Sequence, residues 1–189
     1  MFCDRTAEQV SAAAQAKGPK ILVVGLGNPI LGDDGIGWRV AEALQERSLL
    51  GNSDRQDLDI DCYALGGLSL MEHLIGYDAA VIIDAIQTDG GVPGSVYDLS
   101  LDDLPRFKSA HLTAAHDTSL QTALEVGSMM GAQLPQIVAV IGVEAKMVYE
   151  FSEKLSPAVE ACIPQAVNLA QKRIEKLRRE MAVAVSSTA

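Results

Sequence analysis

Ile21-Leu-Val-Val24-Gly25-Leu-Gly27-Asn28-Pro-Ile30-Leu-Gly32-Asp33-Asp34-Gly35-Ile36-Gly37 is the stretch that decides the fold. It opens with a short, uninterrupted apolar run, Ile21 to Val24, the pattern of a strand buried on both faces. From about Gly35 to Leu49, Ile36, Val40, Ala43 and Leu44 fall on one helical face, with Arg39, Glu42 and Glu46 on the other. Strand, glycine-rich loop and amphipathic helix together make an α/β unit.

The alternation continues along the chain. Leu58 to Ala64 sets Leu58, Ile60 and Cys62 against Asp59, Asp61 and Tyr63, a half-buried strand near an edge. Leu68 to Ile75 reads as a short helix. Ala79 to Ile83 is a second buried strand, with Asp84 at its end. After the Gly90-Gly91-Val92-Pro93 turn, Gly94 to Leu99 adds a further strand. Thr118 to Met130 is helical, with Leu120, Ala123, Leu124 and Gly127 inward, and Ile137 to Ile141 is the most apolar strand. The last helix takes Ser156 as N-cap and Pro157 as its first residue. Val159, Ile163, Val167, Ala170, Ile174, Leu177 and Met181 follow at steps of three and four, and Pro164 should kink the helix. These elements predict an α/β three-layer sandwich: a twisted, mainly parallel sheet of about five strands, flanked by helices on both faces. Residues 19–181 would form a single domain, preceded by a flexible Ala-rich extension (1–18) and followed by a flexible tail (182–189).

A chain of 189 residues can bury one full core and is short for two. With 48% hydrophobic and 21% charged residues it has globular rather than disordered composition. A formal net charge of -10 repels phosphate backbones and anionic bilayers, which argues against nucleic-acid and membrane partners. Cys3, Cys62 and Cys162 are odd in number and share no metal-ligand spacing, so neither a disulfide framework nor a zinc knuckle is expected. With no apolar leader run near the start and no spanning segment, the expectation is a soluble cytoplasmic protein.

The glycine loop excludes the commonest ligand for such a unit. In a dinucleotide fingerprint starting at Gly25 and Gly27, the third glycine would fall at Ile30. Asp33 and Asp34 would repel a pyrophosphate, and no Lys-Ser/Thr pair makes a P-loop. One acid is accounted for by capping the following helix, and we assign Asp33 to that role, leaving Asp34 to point above the sheet. Asp84 falls at the carboxyl end of a parallel strand, where open α/β sheets place ligands; a turn or N-cap acid explains it equally well. Apolar Ala85 and Ile86 beyond it imply burial, and a buried carboxylate needs a partner or a metal. His116 precedes a predicted helix start, whose field favours the neutral, metal-binding ring, although a lone histidine there is commonly a surface or packed residue. His73 reads as exposed, and His111 as a loop residue with a weaker claim. Asp34, Asp84 and His116 thus come from three βα connections on one sheet edge, and two carboxylates with an imidazole suit a borderline divalent metal such as nickel or zinc.

At these residues the sequence resembles the maturation proteases that process nickel–iron hydrogenase large subunits. The resemblance lies in Val24 to Gly37, Gly66-Gly67, Ile83-Asp84-Ala85, His116, and Leu155-Ser-Pro-Ala-Val-Glu160 with Pro164 beyond, in that order over roughly residues 20 to 178. It implies an endopeptidase that removes the C-terminal extension of a nickel-loaded large-subunit precursor, its partner, on an α/β sandwich fold. Asp34, Asp84 and His116 would be both catalytic and metal-contacting, and Asn28, Gly66 and Gly67 would belong to a substrate loop. No tightly bound cofactor is implied, since the nickel is supplied by the precursor, and the free enzyme would be a monomer. Some members carry an Asp before the glycine pair, where this chain has Ala64-Leu65, so substrate preference does not transfer from any particular member.

Three other readings compete. Peptidyl-tRNA hydrolases begin with a similar Gly-Leu-Gly-Asn-Pro segment, but their Tyr and Thr-Arg-His-Asn stretch is replaced here by Ile-Leu-Gly-Asp-Asp-Gly, and the charge suits tRNA poorly. A nucleotide-binding domain is weakened by Ile30 and the paired acids. A module that binds nickel or precursor without cutting would use the same three residues as the protease.

Overall fold

The computed structural model describes residues 19–50, 57–106, 108–109, 112 and 119–187. Strands β1 (Ile21–Leu26), β2 (Leu58–Tyr63), β3 (Ala79–Ile86), β4 (Val96–Ser100) and β5 (Ile137–Glu144) form one sheet in the order β2-β1-β3-β5-β4. Only β4 runs antiparallel, pairing with β5 at the outer edge. The helices are α1 (Ile36–Leu50), α2 (Gly67–Leu74), α3 (Leu120–Met129), α4 (Pro157–Ala161) and α5 (Ile163–Ser187).

Strand periodicity divides the core in two. Ile21, Val23, Val81, Ile83, Ile141 and Val143 project to one face and pack against Ile36, Val40 and Leu44 of α1 and Val167, Ile174 and Leu177 of α5. Leu22, Val24, Ile82 and Val140 project to the other, against Leu70 and Leu74 of α2 and Leu120 of α3. The three-layer sandwich expected from the sequence is therefore present, with Leu58 to Tyr63 as the half-buried edge strand.

Two expectations are corrected. β3 does not stop at Ile83: Ala85 and Ile86 are buried and pair with Val143 and Glu144, so Asp84 lies inside the strand. Its pairing with β1, however, ends at Ile83 opposite Gly25, so Asp84 is the first β3 residue beyond that neighbour. Pro164 does not kink a continuous helix either. Helix α4 ends at Ala161, and Pro164 falls in the first turn of α5, where its missing amide breaks no intrahelical bond. Ser156 and Pro157 do start α4. The Thr118 start expected for α3 and the 1–18 extension lie outside the described residues, while α5 runs on to Ser187.

Candidate active site

The topology itself selects a location. From β1 the chain crosses to β2 on one side and then to β3 on the other, so the connections diverge between β1 and β3. At such a switch point the loops above the carboxyl ends part and leave a crevice. The loop after β1 carries Asp34, and β3 carries Asp84 just past its last pair with β1.

Glycines let this loop form. A Cβ on Gly37 would lie 2.1 Å from the Leu26 carbonyl oxygen and 2.4 Å from that of Ile83. Helix α1 can thus start against the backbones of β1 and β3 only with glycine there. Gly27 adopts a φ of 131°, and a side chain on it would meet the Asp34 carbonyl oxygen at 1.8 Å. A 3-10 turn, Gly32–Gly35, follows and holds both acids in buried positions.

The two acids divide their labour, though Asp33 does not cap its own helix. Its carboxylate accepts from the Ser156 amide (2.6 Å), the Ser156 hydroxyl (3.0 Å) and the Met147 amide (3.3 Å). It therefore binds the 145–156 segment to the β1 loop, helped by the Gly32 amide donating to the Ser152 carbonyl at 2.7 Å. Capping fails because the turn is entered through Leu31, so the acid looks across to another segment that offers free amides. Asp34 turns the other way: its Oδ2 accepts the Asn28 amide at 2.7 Å, fixing the carboxylate inside the glycine loop.

Asp84 is fully buried. The sequence implied a partner for it, and Ser109 is one: its hydroxyl donates to Oδ2 at 2.5 Å. A further buried acid on this edge, Glu144 at the end of β5, accepts the Thr88 amide and hydroxyl, both at 2.9 Å, and shapes the turn after β3. Neither Ser109 nor Glu144 was identified from sequence. A single serine carries no periodic pattern, and Glu144 ends a run whose apolar character hides it.

The expected substrate-loop residues reach the same edge. The Gly27 amide donates to the Tyr63 carbonyl at 3.1 Å, which places Asn28 beside the end of β2, and Gly66 and Gly67 open α2 just beyond. Gly67 adopts a φ of 52°, a left-handed conformation that favours glycine. His116, the third residue expected at the site, lies outside the described residues, as does His111. Among the described residues no group of three or more His, Cys, Asp or Glu side chains is arranged to hold a metal ion. His73 is exposed as expected and stacks on Tyr63 with ring centroids 4.2 Å apart. Burial raises the Cys62 thiol to a pKa of about 11, aided by Glu42 and Asp61, so this thiol is not a ready nucleophile at neutral pH.

With this geometry in view, the comparisons with known proteins decide the family. The sequence profile of the hydrogenase maturation proteases matches residues 38–173. The chain belongs to the hydrogenase maturation protease family. Members of this family are peptidases, hydrolases acting on peptide bonds, and the site is accordingly an active-site candidate. A similar curated protein is the hydrogenase expression/formation protein HupD of Thiocapsa roseopersicina, 32% identical over 152 residues, spanning 80% of this chain and 66% of that one. Among solved structures, HybD from Thermococcus kodakarensis matches with a TM-score of 0.60 at 28% identity, covering 81% of this chain and 97% of that one. The hydrogenase-maturating endopeptidase HybD from E. coli matches with a TM-score of 0.62 at 26% identity, covering 83% and 93%. Asp84 and His116 fall within the profile match, while Asp34 precedes it.

Proposed function

We propose that this maturation protease removes the C-terminal extension of a nickel–iron hydrogenase large-subunit precursor already loaded with nickel, and that Asp34 and Asp84 recognise the loaded site. The observation that carries this is the pair of buried carboxylates, one on the β1 loop and one on β3, flanking the switch point in a chain of this family. Carboxylates there supply hard, negatively charged oxygens for a divalent metal presented by a substrate, and His116 would add an imidazole. The nickel is part of the substrate, and the enzyme needs no tightly bound cofactor.

Docking the precursor's metal against these groups brings the adjacent peptide bond to the sheet edge, next to Asn28, Gly66 and Gly67. Hydrolysis there forms a C–O bond from water to the scissile carbonyl carbon and breaks the C–N bond. A carboxylate takes the water proton and passes it to the leaving amine. The exposed Ile30, Met147, Tyr149 and Phe151, on two segments joined by the Leu31–Ser152 bridge, form an apolar rim to this edge and suit a protein substrate.

The test is Asp84→Asn, which keeps the side-chain volume and removes the charge. We expect cleavage of the loaded precursor to slow about 100-fold or more, equivalent to roughly 3 kcal/mol of transition-state stabilisation. Cleavage at the normal rate would remove Asp84 from the mechanism.

A further inference from the structure

We propose that Ser109 is a positioning residue for the Asp84 carboxylate, locking it in one orientation through a hydrogen bond that the surrounding backbone makes directional. The inference rests on the role given to Asp84 above and adds a residue to that site.

Asp84 and Ser109 are 25 positions apart and both buried. They meet because Gln87, three residues beyond Asp84 on the same chain segment, forms an antiparallel bridge with Lys108. The Gln87 amide donates to the Lys108 carbonyl at 2.8 Å, and the Lys108 amide returns the bond at 3.0 Å. This reciprocal pair fixes the backbone next to Ser109 against the end of β3. Strand β3 in turn is held by β5 through Ile86 opposite Glu144, so backbone hydrogen bonds hold each side of the contact.

The hydroxyl has a defined polarity. Its oxygen accepts the Leu112 amide at 2.9 Å, which occupies one lone-pair direction, and its hydrogen goes to Oδ2 of Asp84 at 2.5 Å. Leu112 itself is fully buried in the core under α2 and α3. The chain Leu112 amide to Ser109 hydroxyl to Asp84 carboxylate therefore ends in the core, and rotation of the carboxylate about its Cβ–Cγ bond breaks its last link. A carboxylate that must present an oxygen to a metal or a water gains from this, because orientation lost in the ground state must be recovered at the transition state. Hydrogen-bonded outer groups commonly orient metal-contacting carboxylates in this way. The one hydroxyl thus accepts from the Leu112 amide and donates to the buried Asp84 carboxylate, which ties the carboxylate's orientation to the backbone at Leu112.

The experiment measures kcat and KM for cleavage of nickel-loaded precursor by Ser109→Ala, Ser109→Cys and Asp84→Asn enzymes, each normalised to folded molecules from its urea transition. Ser109→Ala is expected to lower kcat per folded molecule about 10-fold or more with KM within about twofold, and Ser109→Cys, of similar volume and weaker donor strength, to fall between it and the parent. Unchanged kcat per folded molecule in Ser109→Ala, while Asp84→Asn is impaired, would overturn the positioning role and leave the site reading intact. Normal cleavage by Asp84→Asn would overturn the site reading, and the Ser109 proposal with it. If Ser109→Ala does not fold, Ser109→Cys decides alone: a kcat equal to the parent contradicts the proposal, and a reduced kcat with unchanged KM supports it.

Discussion

At the residue scale, adjacent identical side chains do different work because the backbone turns them to different neighbours. Asp33 gathers three donors from the 145–156 segment, and Asp34 takes the amide of Asn28. Replacing the buried Asp33 with Ala would leave the part-buried Met147 and Ser156 amides without that acceptor, so Asp33→Ala should lose about 2 kcal/mol of stability in urea unfolding. Asp33→Asn, which keeps one acceptor oxygen, should lose less. A stability loss no greater than that of an exposed substitution would show that water replaces those bonds. That two acids share this loop was legible in the sequence, and so was the candidacy of Asp34 and Asp84. The partner of Asp33 was not, because it lies 114 to 123 positions away and depends on how two loops meet.

At the scale of elements, the glycine loop couples fold to site. The apolar run Ile21 to Val24 and the four-residue spacing of Ile36, Val40 and Leu44 were enough to predict a strand-loop-helix unit, since burial pattern follows directly from periodicity. The length of β3 was less legible. Asp84 resembles a strand terminator, yet pairing with β5 carries the strand through it to Ile86. Pro164 was read as a kink in one helix because the apolar spacing runs unbroken across Cys162, whereas the chain starts a second helix there. The packing at Gly37 makes a direct prediction. Gly37→Ala forces a methyl into two carbonyl oxygens that belong to strands and cannot move aside, so it should cost about 3 kcal/mol or more and impair cleavage with it. Gln45→Ala, on the exposed face of the same helix, should change stability by less than about 0.5 kcal/mol. Equal effects of the two in urea unfolding would contradict the close approach of α1 to β1 and β3.

Across the whole molecule, groups near β2 give stability an alkaline limit. Burial raises Cys62 from 9.0 to about 11, and Tyr63 and Tyr77 from 10.0 to about 12; Asp61 also raises Tyr63, and a hydrogen bond to Asp59 raises Tyr77. Each is protonated more readily folded than unfolded. Its contribution is therefore complete below the ordinary value and is lost as pH climbs through the raised one. The urea midpoint should hold steady up to about pH 8.5 and fall between pH 9 and 12. A midpoint that rose over that range would contradict the burial of these side chains. Among the described residues no helix is long and apolar enough to cross a membrane.

The central claim is that the site on this sheet edge reads precursor-borne nickel and then cuts, and intact mass spectrometry tests it most directly. A large-subunit precursor is incubated with the enzyme in nickel-loaded and nickel-free forms, and its mass is followed with time. The account predicts loss of one defined C-terminal peptide from the loaded precursor alone, and no loss with Asp84→Asn enzyme over the same period. Equal processing of the nickel-free precursor would contradict metal recognition, and binding of the loaded precursor with no change in mass would make the site a docking surface rather than a protease centre.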